Sequence, residues 1–223
     1  MPGFFITFEG GEGSGKTTQI NKLAESLNAA GYKVVTTREP GGTPESEKIR
    51  QLLVQRDGGN WSPMAEALMF FAARLMLYQK IIKPALDEGK IVICDRFTDS
   101  TRAYQGYGHD LGFDVIDELK HIALGDAEPN LTFILDIDPK SGIERAQERL
   151  SSQKINAERR EDRFEKLDLS FHQRLREGFL QIAKREPQRC VIVDAAQTIE
   201  HMAQSILQTA LKRLEERLEE RKG

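Results

Sequence analysis

The residues that most clearly indicate chemistry lie in one glycine-rich run, Gly10 to Thr17, with the sequence GGEGSGKT. The run fits the pattern G-x-x-x-x-G-K-[ST], and an apolar strand precedes it while an amphipathic helix follows. Its glycines allow successive backbone N–H groups to turn toward a phosphate, whereas a turn that only packs needs neither the lysine nor the threonine. We therefore predict contacts with ATP from these residues: Gly10, Gly11, Glu12, Gly13, Ser14, Gly15, Lys16, Thr17 and Thr18.

An acidic residue and a basic residue at a strand end extend this site. Lys16 has the reach to contact the β- and γ-phosphates, and the Thr17 hydroxyl is a predicted ligand of Mg2+. The run Ile91 to Phe97, IVICDRF, places Asp95 at the end of an apolar strand, where a carboxylate can hold the shell of that ion. Arg96 follows and suits a bidentate clamp on a second substrate that carries phosphate. The alternative is a surface ion pair between Asp95 and Arg96.

A scaffold must bring these strand ends together, and the sequence alternates short apolar runs with long amphipathic stretches. That alternation is typical of a parallel sheet covered by helices. The predicted strands are Phe4 to Glu9, Lys33 to Arg38, Ile91 to Asp95, Leu131 to Ile137 and Cys190 to Asp194. The predicted helices are Lys16 to Ala30, Pro44 to Gln55, Met64 to Asp87, Asp114 to Ala123, Ser141 to Leu150, Leu167 to Glu186 and Ile199 to Arg221. No repeat or long linker divides the chain, so one domain over residues 1–223 is predicted.

The composition excludes several classes of protein. The 32 Lys plus Arg and 35 Asp plus Glu give a net charge of −3, which provides no overall basic field for nucleic acid or anionic lipid. No stretch approaches the roughly 18 apolar residues of a membrane helix. Cys94 and Cys190 lie in apolar runs typical of buried thiols, and the four histidines lack metal-ligand spacing. We expect a cytoplasmic protein without nucleic-acid or membrane partners.

Five blocks then narrow the function: FEGGEGSGKTTQ, TREPGGT, MFFAARLMLY, CDRFTDSTRAYQG and REDRF, in that order. Over nearly the whole chain they make the sequence resemble the thymidylate kinases of the nucleoside monophosphate kinase group. The resemblance implies an α/β P-loop kinase fold, with a five-stranded parallel sheet flanked by helices and a short lid at about residues 151–166. It also implies Mg2+-dependent transfer of the ATP γ-phosphoryl group to thymidine monophosphate (dTMP), for dTTP synthesis in DNA replication, and usually a homodimer.

The resemblance also implies an acceptor site for dTMP. Arg38, Glu39 and Pro40 are expected to line it, although a plain strand-to-helix turn also explains TREPGGT. Phe70 and Arg74 are four positions apart in a predicted helix and share one face. By resemblance, Phe70 stacks on thymine and Arg74 contacts the monophosphate, whereas hydropathy alone favours a core position for Phe70.

The block CDRFTDSTRAYQG supplies further acceptor contacts. The hydroxyls of Ser100 and Thr101 can donate or accept at a base edge, and the resemblance places Thr101 near the polar edge of thymine. It places Tyr104 near the sugar 2′ position, where its bulk disfavours ribose, and Gln105 in support of the same pocket. Phe97 stands where relatives often carry Tyr or His, so we expect that position to pack.

Glu12 is an acid inside the phosphate loop, poorly suited to touching ATP because like charges repel. The resemblance implies that it faces the 3′ hydroxyl of the acceptor; the alternative is a solvated loop carboxylate. Some thymidylate kinases carry a catalytic arginine at the next position, whereas this sequence has Gly13 and resembles the bacterial type with an arginine in the lid. An arginine delivered by lid closure can stabilise charge on the transferring phosphoryl group.

The candidate lid arginines lie in NAERREDRFE, and the alternative is a solvated helix in which neighbouring acids pair with them. The predicted catalytic residues are Glu12, Lys16, Arg96, Arg159, Arg160 and Arg163. A deoxynucleoside kinase is the second hypothesis, but its acceptor lacks a phosphate, so Arg74 and Arg96 would be surplus. A GTP-driven switch needs N-K-x-D and D-x-x-G, and neither pattern occurs in the sequence.

Overall fold

The computed structural model describes residues 3–55, 59–152, 163–164 and 167–219. Five strands form one sheet: β1 (Phe4–Glu9), β2 (Val34–Arg38), β3 (Ile91–Asp95), β4 (Leu131–Asp136) and β5 (Cys190–Asp194). All neighbouring strands are parallel, in the order β2-β3-β1-β4-β5. The predicted five-stranded parallel sheet is therefore confirmed, with Lys33 and Ile137 lying just outside their strands.

Helices connect the strands. They are α1 (Lys16–Ala29), α2 (Pro44–Val54), α3 (Pro63–Leu77), α4 (Lys83–Asp87), α5 (Thr98–Thr101), α6 (Phe113–Leu124), α7 (Pro139–Ser152), α8 (Leu169–Arg185) and α9 (Ile199–Glu219). A π-helical turn, Tyr78–Ile82, joins α3 to α4, so the predicted helix Met64 to Asp87 is real but locally widened. None of the helices within the described ranges is long and apolar enough to cross a membrane.

Both faces of the sheet are buried, as the apolar strands predict. On one face, Phe4, Ile6 and Phe8 of β1 pack in a cluster that includes residues of α1 and α9. On the other face, Phe5 packs in a cluster that includes residues of α3 and α6, and that cluster contains Cys94 as a buried free thiol. Because successive strand residues face opposite sides, a strand that is covered on both sides reads as a continuous apolar run.

One helical segment escaped the sequence prediction. Residues 98–108 form α5 and a second π-helical stretch, Arg102–Gly108, with buried polar side chains. Asp99 anchors this segment, because it accepts hydrogen bonds from Arg189 Nη1 (2.7 Å) and Arg102 Nη1 (2.9 Å). Although burial favours the neutral acid, these two arginines hold the pKa of Asp99 at about 2. Ion pairs between residues distant in sequence fix the segment, so apolar periodicity does not reveal it.

The strand order determines where the site forms. β1 and β3 are neighbours, with Phe8 opposite Asp95, and β2 lies on the other side of β3 with Arg38 opposite Asp95. The glycine-rich loop that follows β1 therefore lies beside the Asp95–Arg96 pair and the end of β2. This crevice at the carboxyl ends of the strands is where open α/β sheets bind ligands.

Candidate active site

A cavity of about 1460 Å³ opens at this edge of the sheet. Most of the predicted site residues line it: Glu12, Gly13, Ser14, Gly15, Lys16, Thr17, Thr18, Arg38, Glu39, Pro40, Phe70, Asp95, Arg96, Ser100, Thr101, Tyr104 and Gln105. Gly10 and Gly11, at the start of the loop, line a small neighbouring cavity instead. Pockets for one small ligand usually occupy about 300–1,000 Å³, so the larger cavity has room for two nucleotides.

The phosphate loop has the conformation that its glycines allow. Gly13 and Gly15 have positive φ angles of 67° and 90°, and Gly15 caps α1 without a side-chain hydrogen bond. The N–H groups that begin α1 therefore remain available to an anion. Lys16 Nζ donates to the carbonyl oxygens of Gly10 (3.0 Å) and Gly11 (2.9 Å). Burial, followed by the positive charge of Arg96, lowers the pKa of Lys16 to about 8.

The loop backbone packs directly against the start of α7. A Cβ atom added to Gly13 would lie 2.0 Å from the carbonyl oxygen of Gly142, and one added to Gly142 would lie 2.6 Å from that of Glu12. Contacts below 3.0 Å force a shift of one partner, and here both partners are backbone. The loop has no space for a side chain at Gly13, which agrees with the sequence interpretation that this chain does not supply its arginine there.

Thr17 and Asp95 have the donor atoms that Mg2+ prefers. Thr17 Oγ1 donates to Asp95 Oδ2 at 3.2 Å, at the exposed mouth of the loop. Within the described ranges, no group of three or more His, Cys, Asp or Glu residues could hold a metal ion. Mg2+ typically keeps several waters and binds through one or two protein groups plus substrate phosphates, so two oxygens are an adequate protein share.

Arg96 is a hub that links the loop to Ser100 and Tyr104 on the other side of the cavity. Its Nη1 donates to Gly10 O (3.2 Å) and Ser100 Oγ (3.0 Å). Its Nη2 donates to Glu12 Oε1 (2.9 Å) and Tyr104 OH (3.1 Å), and the Tyr104 hydroxyl donates in turn to Glu12 Oε1 (2.7 Å). Glu12 is thus held by an arginine and a tyrosine, so the alternative of a solvated carboxylate is wrong.

Arg74 differs from its predicted role. Its side chain is 1% exposed and does not line the cavity. Nε donates to Glu39 Oε2 (2.6 Å), and Nη2 donates to Phe97 O (3.0 Å) and Thr101 Oγ1 (3.0 Å). Burial, opposed by Arg74, raises the pKa of Glu39 to about 7. Contact between Arg74 and the monophosphate is therefore not supported; Arg74 holds Glu39 and Thr101, which do line the cavity.

Phe70 and Phe71 separate as the helical spacing requires. Phe70 is half-buried, lines the cavity and has its ring centroid 6.3 Å from that of Phe164. Phe71 is buried in the core, with the Arg74 guanidinium carbon 4.8 Å from its ring centroid. The core position that hydropathy favours for Phe70 is therefore taken by its neighbour.

Arg163 also differs from its predicted catalytic role. It forms an ion pair with Glu66 Oε1, and its Nη1 donates to Leu53 O at 2.9 Å. Glu66 Oε2 accepts from Gln105 Nε2 at 3.0 Å. Arg163 thus binds α2 and α3 and does not line the cavity, because a buried carboxylate holds it. The other two lid candidates, Arg159 and Arg160, lie outside the described residues, as does most of the predicted lid.

The predicted strand-to-helix turn after β2 is present and also borders the cavity. Thr43 caps α2 by accepting from Ser46 N (3.2 Å), as the alternative interpretation of TREPGGT required. Arg38 Nη2 donates to Glu47 Oε1 at 3.0 Å, at the cavity rim. The two interpretations of this block are therefore compatible.

Two residues that border this region were not singled out from the sequence. Arg145 of α7 lines the cavity beside the loop, and its Nη1 donates to Ala195 O at 3.0 Å. Glu9 ends β1 beneath the loop and is fully buried. Arg145 lies in a highly charged helix, and no local sequence pattern distinguishes it. Glu9 could have been found from the sequence, because it is a carboxylate at the end of an apolar strand.

A phosphate loop, a pair suited to Mg2+ and an arginine–carboxylate hub therefore share one cavity at the switch point of a parallel sheet. This fold and site define a P-loop nucleotide kinase. Comparison with known proteins specifies the family, since the model of the thymidylate kinase family matches residues 8–206. The chain belongs to the thymidylate kinase family.

Known thymidylate kinases of similar length support this family assignment. A thymidylate kinase from Caulobacter vibrioides is 47% identical over 95% of this chain and 98% of its own length. A thymidylate kinase from Geobacter sulfurreducens is 46% identical over 96% of this chain and 100% of its own length. The crystal structure of thymidylate kinase from Ehrlichia chaffeensis has a TM-score of 0.74 and 38% identity, covering 94% of this chain and 99% of that one.

Proposed function

We propose that this protein transfers the γ-phosphoryl group of ATP to dTMP, giving ADP and dTDP on the route to dTTP, as a single domain over residues 1–223. The observation that carries the proposal is the Glu12–Arg96 hub. It joins a complete phosphate loop to a second part of the cavity, lined by Ser100 and Tyr104. Arg96 supplies the positive charge of that second part. A nucleotide triphosphatase has no need for that second part, whereas a kinase with a phosphorylated acceptor does.

The donor half binds the triphosphate of ATP. Glycine N–H groups of the loop and the start of α1 surround the phosphates, and Lys16 leaves the Gly10 and Gly11 carbonyls to contact them. The pKa of Lys16, lowered to about 8 in the free protein, rises when an anion arrives, so binding fixes the lysine in its charged form. Thr17 and Asp95 would hold Mg2+, which would neutralise charge on the phosphates.

The acceptor half binds dTMP. Arg96 supplies two guanidinium nitrogens to its phosphate, and Glu12 leaves Arg96 to meet the sugar 3′ hydroxyl. Phe70 offers its face to thymine, and Thr101 meets the polar edge of the base. Arg74 acts through Glu39 and Thr101 at this base end, and Tyr104 fills the space that a 2′ hydroxyl requires.

Transfer then proceeds by positioning and electrostatics. Phosphoryl transfer passes through a loose transition state with charge on the peripheral oxygens, which Lys16 and Arg96 stabilise without covalent chemistry. With Arg163 bound to Glu66, the lid arginine that adds to them is Arg159 or Arg160. Closure of residues 151–166 excludes water that would otherwise hydrolyse ATP.

A coupled assay that detects ADP tests the substrate. It is run with ATP and each nucleoside monophosphate in turn, with thymidine as the control for the deoxynucleoside kinase hypothesis. We expect dTMP to give the highest kcat/KM and thymidine to give no turnover. A better acceptor than dTMP among the monophosphates, or turnover of thymidine, contradicts the assignment.

We also propose a cytoplasmic homodimer. Exposed apolar side chains occur on α3 and α6, which pack against each other, and Leu68 is 51% exposed while Ile122 is 81% exposed. A second copy of the chain would cover them. Light scattering should give twice the 25.2 kDa chain mass, and Ile122→Glu should reduce it, whereas Ile192→Glu on the edge strand β5 should not. A monomeric wild type contradicts the dimer.

A further inference from the structure

We propose that Glu9 is a positioning residue for Arg96, which it directs toward the acceptor phosphate through the Ser100 hydroxyl and the backbone of Phe97. The inference rests on the proposed function and adds a residue that touches neither substrate. Glu9 ends β1, one residue before the phosphate loop, and its side chain is fully buried. It therefore contributes to the site only through the groups that it holds.

The first contact of Glu9 is with the backbone. Arg96 has a φ angle of 70°, a left-handed conformation that residues with a side chain rarely adopt. The two N–H groups around this angle are both fixed, since Arg96 N donates to Phe8 O (2.9 Å) and Phe97 N donates to Glu9 Oε1 (2.7 Å). With this backbone angle, the Arg96 side chain reaches the loop at Gly10 O. Glu9 fixes the peptide that follows Arg96 by accepting from Phe97 N.

The second contact is with a side chain. Ser100 Oγ donates to Glu9 Oε2 at 2.5 Å and accepts from Arg96 Nη1 at 3.0 Å. When Glu9 is ionised, it accepts the single hydrogen of the Ser100 hydroxyl, which leaves the oxygen lone pairs of Ser100 for Arg96. Arg96 Nη2 then reaches Glu12 Oε1 (2.9 Å). A chain of hydrogen bonds thus runs from Glu9 through Ser100 and Arg96 to Glu12, the residue proposed to meet the 3′ hydroxyl of the acceptor.

The burial of this carboxylate is unfavourable for the fold. Burial, and then the nearby charge of Asp99, raise the pKa of Glu9 to about 8, against the opposing effect of Arg96. An apolar residue could end β1 without that cost, as apolar residues fill most of the strand. The acid at this position instead accepts hydrogen bonds from Phe97 N and the Ser100 hydroxyl.

The chain offers a matched control on the same strand. Thr7 is also fully buried, two residues before Glu9, and its Oγ1 shares a hydrogen bond of 2.8 Å with Thr132 Oγ1. That bond links β1 to β4 and involves neither Arg96 nor Ser100. Loss of the Thr7 hydroxyl therefore removes a buried polar contact of β1 that touches neither Arg96 nor Ser100.

The test uses Glu9→Gln at about pH 9, where Glu9 is ionised. Gln keeps an oxygen for Phe97 N but replaces the acceptor of the Ser100 hydrogen by an N–H donor. With dTMP and ATP we expect kcat/KM for dTMP to fall about 10- to 100-fold, the usual effect of losing an outer partner of a site. The dissociation constant of a non-hydrolysable ATP analogue should stay within twofold. Thr7→Val should lower the melting temperature without changing the KM for dTMP.

A double-mutant cycle identifies the route. If Glu9 acts through the hydroxyl, Ser100→Ala should give the same selective loss toward dTMP, and Glu9→Gln with Ser100→Ala should be no worse than the poorer single variant. If Glu9→Gln does not fold, Glu9→Asp replaces it, because it keeps the carboxylate on a shorter side chain that no longer reaches both partners and should give the same selective loss toward dTMP.

Three outcomes overturn the inference: wild-type kinetics in either single variant, losses that multiply in the double variant, or an equal loss of affinity for the ATP analogue. A wild-type protein that does not phosphorylate dTMP overturns the proposed function instead.

Discussion

A series of glycine substitutions tests how closely the phosphate loop packs against α7. Alanine at Gly13 must adopt a φ angle of 67° and place its Cβ 2.0 Å from the Gly142 carbonyl oxygen. The left-handed backbone costs roughly 1–2 kcal/mol for a residue with a side chain. Relief of the clash between two backbone segments adds about 1–3 kcal/mol. Gly13→Ala should therefore lower the free energy of unfolding by about 2–5 kcal/mol.

Two neighbouring glycines separate these contributions. Gly15 has a φ angle of 90° with nothing within 4 Å of an added Cβ, so Gly15→Ala carries the backbone cost alone, about 1–2 kcal/mol. Gly11 has neither a positive φ angle nor a close neighbour, so Gly11→Ala should change stability by about 0.5 kcal/mol or less. Urea unfolding followed by circular dichroism measures all three. If Gly13→Ala costs no more than Gly15→Ala, the packing of the loop on α7 is not as described.

Three further substitutions test individual residues. Lys16→Ala should abolish turnover and leave the far-ultraviolet circular dichroism spectrum unchanged; retained turnover would remove the assignment of the phosphate loop. Arg74→Ala leaves the buried Glu39 carboxylate without its partner, so it should cost about 3–5 kcal/mol in urea unfolding and raise the KM for dTMP more than that for ATP; unchanged stability and KM would refute its role at the base end. Because the pKa of Glu39 is raised from 4.5 to about 7, its contribution to stability is fully present below about pH 4.5 and is lost as the pH rises through 7. The wild-type advantage over Glu39→Gln in urea should accordingly shrink by about 3 kcal/mol between those values, and a constant difference would show that the pKa is not raised.

The corrections to the predicted site have one physical cause. The resemblance assigns Arg74 to the monophosphate and makes Arg163 one of three candidates for the lid arginine. In the fold, each lies against a buried carboxylate from another element, Glu39 and Glu66 respectively. A buried carboxylate without a partner destabilises the fold. The nearest guanidinium therefore pairs with that carboxylate and is not available to a ligand.

The sequence by itself determined the sheet, the phosphate loop and the Asp95–Arg96 pair. Each depends on local information: a strand buried on both faces must be apolar throughout, and a loop that turns N–H groups inward must carry glycine. The five blocks in order then specified the family.

The tertiary structure alone decided how the polar residues pair. The segment Thr98–Gly108 is anchored through Asp99, whose carboxylate accepts a hydrogen bond from Arg189, 90 positions later in the chain. Arg96 points at Glu12 because Glu9 and Ser100 hold it, and Arg145 borders the loop because α7 packs there. Ion pairs and hydrogen bonds act between groups that the fold brings within about 3 Å, at separations that no local pattern records.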